Sequence, residues 1–290
     1  MHVTRHATAV ALLEAAGGYL VAQEAEHNLP LGILATLRDQ PGIYPEPPYL
    51  ATVWDSGRLA LVAIRTPPFG PVLSEPGIPE DRVPLAIDAL VADLHAVSPD
   101  LPTVVGPPST VVPFARQWSI ATGRPATLQM AERIYRLSRV IAPRPTPGSW
   151  RLADQRDRAL LLDWVVAFYE EAMPPGSVRG EPGRTVDPWV RRDDRFAYLW
   201  EADGRVVSLV VAGARTPNGR RIGPVYTPPG DRGRGYAGAL TAVASQDQLD
   251  RGARFCFLFT DLANPTSNAV YQRIGYEPVS DIDQYRFDPG

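Results

Sequence analysis

Between Ile222 and Ala237 the chain reads I-G-P-V-Y-T-P-P-G-D-R-G-R-G-Y-A, a run whose residue types suit the holding of an anion. A short apolar stretch ends at Thr227. Pro228, Pro229 and Gly230 break it, and an arginine- and glycine-rich turn then enters a helical pattern. Gly233 and Gly235 let backbone N–H groups crowd round a phosphate with no Cβ in the way. A helix opening near Gly235 aims its unpaired donors and the positive end of its dipole at the same place. Arg232 and Arg234 add charge beside it. The segment G-R-G-Y-A-G (233 to 238) also fits the dinucleotide fingerprint, with Asp261 ending the next strand where a ribose-binding acid belongs. Against that reading, Pro228 to Arg232 separate the glycines from their strand. Only about fifty residues follow, too few for the rest of a doubly wound sheet.

Downstream lie a strand pattern R-F-C-F-L-F-T-D (254 to 261) and the stretch N-P-T-S-N-A-V-Y-Q-R-I-G-Y (264 to 276). Asn264 suits an N-cap, Pro265 the first helical position and Gly275 a C-terminal stop. On that helix Tyr271 shares a face with Ser267 and Ile274, which makes it either a packed aromatic or a phenol facing a site. A buried tyrosine stays neutral at pH 7 and gives up its proton as charge develops on a leaving group.

Taken together, these stretches resemble the GNAT acyltransferase superfamily. Its acyl-CoA signature is Gln or Arg, two residues, Gly, one residue, then Gly or Ala, and Arg232, Gly235 and Ala237 fit it in register. The family's second motif is an Asn followed seven residues later by a Tyr and then a Gly-aromatic pair, as in Asn264, Tyr271 and Gly275-Tyr276. The resemblance implies acetyl-CoA as donor and direct attack by a substrate amine on the thioester. It places the pyrophosphate on the amides of Gly233, Arg234, Gly235, Tyr236, Ala237 and Gly238, beside Arg232. Val225, Tyr226 and Thr227 would pair with the pantetheine arm as an added strand does. A backbone N–H near Tyr226 would hold the oxyanion. Asn264 and Ser267 would touch the arm, and Tyr271 would protonate the departing thiolate.

The general base stays open among Asp261, Glu170, Glu171 and a water relay, since strand 221 to 227 carries no carboxylate. The loop 174 to 188 is expected to shape the acceptor site, with Glu181 or Asp187 placed to hold an ammonium group. Two other functions remain open: a module that senses acyl-CoA without turnover, and an NAD(P)-binding protein using the same glycines. A transferase drawing on aminoacyl-tRNA would need a basic channel, and the net charge of −3 argues against one. The four histidines form no metal spacing. The expected acceptor is a small-molecule or peptide amine, with no nucleic acid, metal or membrane partner, in a monomer or homodimer of the cytoplasm.

The elements that must position these residues are legible in outline. All 29 basic residues other than His are arginine, which reads as codon bias, and the lone Cys256 lies in an apolar strand. The 290 residues suit two domains of ordinary size. A proline-rich linker, 142 to 149, divides them. Each side carries helices, a hairpin, a third strand, a helix, a strand, a helix and a terminal strand, an internal duplication by pattern. Residues 5 to 28 read as helix, with a second helix around 33 to 38. Asp55-Ser56-Gly57 and Asp203-Gly204 mark the hairpins. Tyr135-Arg136-Leu137 corresponds to Tyr285-Arg286-Phe287. In the first half the counterpart of the cradle, Pro71 to Pro84, has Gly77 but no arginine-glycine turn. The expected fold is α/β (α+β mixed sheet): two tandem GNAT-like domains, each a mostly antiparallel mixed sheet flanked by helices. Residues 1 to 141 form the degenerate copy, and 150 to 290 bind acyl-CoA and act.

Overall fold

Two hairpins fix the frame of the sheets, and both close where the sequence supplies residues that tolerate a left-handed backbone. Ser56 and Gly57 (φ 51° and 85°) join one pair of strands, and Asp203 and Gly204 (φ 50° and 74°) join the other. Positive φ at both central residues gives the primed turn whose twist matches a right-handed strand pair.

The computed structural model describes residues 1–288. In chain order it begins β1 (His2–Arg5), α1 (Ala9–Ala22), α2 (Asn28–Asp39), β2 (Tyr49–Asp55), β3 (Arg58–Arg65), β4 (Val72–Leu73), α3 (Val83–Val97), β5 (Thr103–Gly106), α4 (Pro108–Thr122) and β6 (Ala126–Leu137). It continues β7 (Ser149–Leu152), α5 (Arg158–Ala172), α6 (Pro182–Arg191), β8 (Phe196–Ala202), β9 (Arg205–Arg215), β10 (Gly219–Tyr226), α7 (Tyr236–Asp250), β11 (Phe255–Asp261), α8 (Pro265–Arg273) and β12 (Glu277–Phe287). Compactness divides the chain elsewhere than at the proline-rich linker: one unit is Met1–Ile134 with Val279–Gly290, the other Tyr135–Pro278.

In the first unit the strand order is β1-β2-β3-β4-β5-β12, with β6 beyond. There β4 and β5 run parallel, and β1-β2, β2-β3, β3-β4 and β5-β12 are antiparallel. In the second unit the order is β7-β8-β9-β10-β11-β6, again antiparallel along β7-β8-β9-β10 and parallel at β10-β11. The duplication expected from pattern is therefore a repeat of sheet topology, and both sheets are mixed and mostly antiparallel. The sixth strand is exchanged: β12 completes the first unit, and Tyr135 to Leu137 belong to the second.

Three local expectations are corrected. Helix α1 starts at Ala9, capped by Thr8 accepting from the Ala11 amide, and Arg5, expected to open the helix, instead ends the strand His2–Arg5. The second helix starts at Asn28, with Pro30 inside its first turn, where a missing N–H costs nothing. The stretch 174 to 188 is not all loop. Glu181 accepts from the amides of both Gly183 and Arg184, and Pro182 opens α6. Glu181 is thus spent on a helix cap, and Asp187 on an ion pair with Arg158 at 2.8 Å.

Alternate residues of β8 and β9 supply two cores on opposite faces of the second unit's sheet. Tyr198, Trp200, Val210 and Ala212 pack with α7, while Ala197, Leu199, Leu209 and Val211 pack with α5 and α6. Tyr135 and Leu137, each 1% exposed, sit in the α7-side core, and the Tyr135 hydroxyl donates to Asn268 Oδ1 at 2.8 Å. Losing two such side chains costs about 3–5 kcal/mol each, against a whole-domain stability of about 5–15 kcal/mol. A chain cut to residues 150–290 is therefore expected to show no cooperative urea transition, and one cut to 135–290 to recover it. Equal cooperativity in both would show that Tyr135 and Leu137 are dispensable.

The first unit holds a buried titratable group, His27, at the start of α2. Its Nδ1 faces the Leu20 carbonyl at 3.1 Å and its Nε2 accepts from the Glu75 amide at 3.1 Å. Burial lowers its pKa below 6.5. Protonation destroys the Nε2 acceptor, so the stability it contributes is complete above pH 6.5 and is lost as pH falls toward the lowered value. Glu75, whose pKa burial raises, acts with the opposite sign, and His6, also lowered, with the same sign. The difference between wild type and His27→Gln isolates His27. Urea titrations between pH 7.5 and 5 are expected to lose stability less steeply in the variant, by at most about 1.4 kcal/mol per pH unit for one proton. Parallel curves would exclude the effect.

Candidate functional site

The cradle is built by the nine residues between β10 and α7. Asp231, 4% exposed, is clamped by the two terminal guanidinium nitrogens of Arg205 on β9, at 2.6 and 2.7 Å, and lies 4.0 Å from Arg234. That pairing neutralises the one carboxylate in the turn. Gly233 (φ 78°) and Gly235 (φ 85°) take the left-handed backbone that glycine permits, and Arg232 to Gly235 are exposed. Gly235 is the N-cap of α7 and offers no side-chain cap, so the first-turn amides of this 15-residue helix stay open to an anion. Thr146 of the linker flanks the same spot, its Oγ1 3.2 Å from where a Cβ on Gly235 would lie. Tyr236 is buried at the helix start. Ala237 is partly buried, and a Cβ on Gly238 would meet Val270 of α8 at 3.2 Å, so α7 and α8 approach closely there.

Arg232 makes two contacts in the turn that the sequence does not announce. Its Nε donates to the Thr227 carbonyl at 2.8 Å and its Nη2 to Glu171. Its guanidinium also lies 6.0 Å from the Tyr226 ring centroid. It ties α5 to the turn.

Above the cradle the sheet opens. The parallel register of β10 and β11 runs only from Gly219–Phe255 to Arg221–Phe257. Past it, Ile222 to Tyr226 stay paired with β9 through two register shifts, and Gly223 (φ 144°) lies within the second. Such bulges bend and re-aim a strand. Val225 and Tyr226 lie past the register paired with β11, so their edge is open to an extended ligand, while the Thr227 carbonyl is taken by Arg232. Val225 packs on the α7 side and Tyr226 on the α5/α6 side. Thr227 Oγ1 is 2.8 Å from Ser208 Oγ, which also donates to the Tyr226 carbonyl at 3.3 Å.

Tyr271, 8% exposed, lies in the α7-side core, its ring 6.1 Å from Tyr276 in a T-shaped contact. Burial pushes its phenol up to about 12. Among the described residues its hydroxyl makes no side-chain hydrogen bond, whereas the neighbouring Tyr276 hydroxyl is held by Ser245 at 2.8 Å. Asn264 caps α8, its Oδ1 accepting from the Ser267 amide at 3.0 Å. Asp261 accepts from the Ala263 amide at 2.7 Å, a turn-forming bond that occupies one carboxylate oxygen. Glu170 is exposed on α5. Its neighbour Glu171 is the acid brought to the strand end, accepting from the Tyr226 hydroxyl at 3.1 Å. Arg205 and Thr146 escape sequence reasoning: nothing in the chain links Arg205 to Asp231, or a linker threonine to Gly235.

The sheet round the cradle is antiparallel on the β9 side, unlike the doubly wound parallel sheet that a dinucleotide crevice needs. Among the described residues no cluster of His, Cys, Asp or Glu has the geometry to hold a metal ion, and no helix is long and apolar enough to cross a membrane.

Residues 160–276 match the profile of the Acetyltransferase (GNAT) family. Among solved structures, a Drosophila protein superposes with a TM-score of 0.71 at 13% identity, covering 99% of this chain and 98% of that one. An acetyltransferase of the GNAT family from Colwellia psychrerythraea gives 0.60 at 11% identity, covering 99% and 100%. A tandem GNAT protein from the clavulanic acid biosynthesis pathway gives 0.56 at 13% identity, covering 100% and 99%. No curated protein matches the chain. The structural likenesses extend over both units and establish a shared fold.

Proposed function

We propose that this chain, whose residues 160–276 form a domain of the acetyltransferase (GNAT) family, moves an acetyl (acyl) group from acetyl-CoA to a primary amine. The acceptor is a small molecule or peptide, and the amine attacks the thioester directly in a ternary complex. The observation that carries this reading is the opening of the sheet between β10 and β11 directly above the uncapped N-terminus of α7. A strand edge and an anion site, adjacent and on one side of a split, suit a ligand with an amide-bearing arm and a phosphate end.

On this reading the amides of Gly233 to Gly238 hold the pyrophosphate, with Arg234 alongside. Val225 to Thr227 align the pantetheine arm, assisted by Asn264 and Ser267. A backbone N–H at Tyr226 steadies the oxyanion, and Tyr271 gives its proton to the departing thiolate. The first unit does not bind the donor. Its turn between β4 and α3 carries Glu75, Glu80 and Asp81, charges that favour a helix N-terminus but repel a phosphate. A Cβ on Gly77 would collide with the Leu59 carbonyl, so the segment lies against β3 instead of forming an open cradle. The protein then works in the cytoplasm.

Release of free thiol from acetyl-CoA, followed across a panel of primary amines, tests this function. Amine-dependent release above the hydrolysis rate is expected. Tight acetyl-CoA binding with no amine-dependent release would favour a sensing module instead.

A further inference from the structure

On the proposed transferase reading, the donor's phosphates occupy the α7 side of the sheet and its arm the split beside β10. A second substrate must then reach the thioester from the other face, under α5 and α6. On that face, at the end of β10, stands Glu171. Its Oε1 accepts from the Tyr226 hydroxyl at 3.1 Å and its Oε2 from Arg232. The carboxylate is 40% exposed, so it borders solvent. A carboxylate offers about four acceptor positions, and the two contacts leave capacity for an ammonium group. Aromatic side chains crowd the core beside it. Trp164 meets Tyr226 edge-on at 5.7 Å, and Phe168 and Tyr169, one helical turn back on α5, lie 6.3 Å apart and are partly buried against the same core.

We propose that Glu171 is the ammonium-binding residue of the acceptor site, and that the acceptor is a cationic primary amine carrying an aromatic body. Arg232 holds the carboxylate in place, and partly buried Phe168, three residues before Glu171 on the same helix, offers a ring to the amine's aromatic body. The arrangement also moves protons in balance. The bound ammonium gives one proton to Glu171, which passes it to solvent. The freed nitrogen forms the C–N bond to the acyl carbon, and the C–S bond breaks. The nitrogen's second proton, lost as the adduct collapses, offsets the one that the thiolate takes from Tyr271 on the opposite face. Glu170 faces solvent, and Asp261 is engaged at a turn.

The test uses the full chain with phenethylamine, tyramine and tryptamine as charged probes and aniline as an amine uncharged at neutral pH. Wild type is expected to acetylate the charged probes in preference to aniline. Glu171→Gln keeps the shape and loses the charge. It is expected to raise KM for the charged probes about tenfold or more and to erase the preference over aniline, with acetyl-CoA binding within about twofold of wild type. Glu171→Asp is expected to recover part of the loss. Arg234→Met, at the cradle, is the converse control, because it should weaken acetyl-CoA binding yet leave KM for the amines near wild type. Unchanged amine KM in Glu171→Gln would overturn the proposal. So would identical behaviour of Glu171→Gln and Arg234→Met, or failure of wild type that binds acetyl-CoA to acetylate any charged probe. Failure of wild type to bind acetyl-CoA at all would instead defeat the transferase reading on which this one rests.

Discussion

Replacing Tyr271 by Phe is expected to slow acetyl transfer about a hundred- to ten-thousand-fold while leaving acetyl-CoA binding within about twofold of wild type. The variant is unusually clean for a buried tyrosine. The ring packs in the α7-side core against Tyr276, and Phe fills the same volume. The hydroxyl has no side-chain partner to lose, so the stability change should stay below about 1 kcal/mol. Burial pushes the phenol's pKa up to about 12, so the proton stays on it at neutral pH and suits donation to a thiolate as it forms. The check is a thiol-release rate at saturating acetyl-CoA beside a thermal melt. An unchanged rate with an unchanged melting temperature would assign Tyr271 to packing alone.

The second large effect belongs to Gly235. A Glu there must hold φ near 85°, which costs a non-glycine residue about 1–2 kcal/mol, and its Cβ must sit 3.2 Å from Thr146 Oγ1. It also brings a carboxylate to the open amides of α7, where it would both occupy the donors and repel phosphate. Acetyl-CoA binding is expected to weaken about a hundredfold or more. Because Arg232 to Gly235 are exposed, the fold should survive. Gly252→Glu (φ 99°, open surroundings) imposes a comparable backbone strain at the far end of α7 and serves as the control. Equal affinity in the two variants would locate the phosphates elsewhere.

Local chemistry explains what was legible in the sequence. Asp203-Gly204 and Ser56-Gly57 dictate their own backbone, and both hairpins stand where those residues put them. The cradle was readable because Pro228 and Pro229 stop a strand and the glycines admit close approach. Asn264 and Pro265 announce the start of α8 by capping rules alone. Partner choice over long separations was not legible. Tyr135-Arg136-Leu137 and Tyr285-Arg286-Phe287 read alike, and only packing assigns the first to the second unit and the last strand to the first. Helix α6 was hidden by Pro182 and Pro188, which suggest a loop until Glu181 is seen to cap it. Arg232 carries the right signature position, yet its guanidinium turns back to Thr227 and Glu171, because a fixed carbonyl and a carboxylate lie within its reach. That contact lifts Glu171 above Glu170, and no spacing rule distinguishes the two on the helix.

Calorimetric titration of the wild-type chain with acetyl-CoA, and separately with NAD and NADP, tests the central claim most directly. The account predicts micromolar binding of acetyl-CoA and none of the two dinucleotides. Binding of NAD or NADP without acetyl-CoA would contradict it and return the glycine turn to a dinucleotide role, and silence from all three would make the turn a structural one.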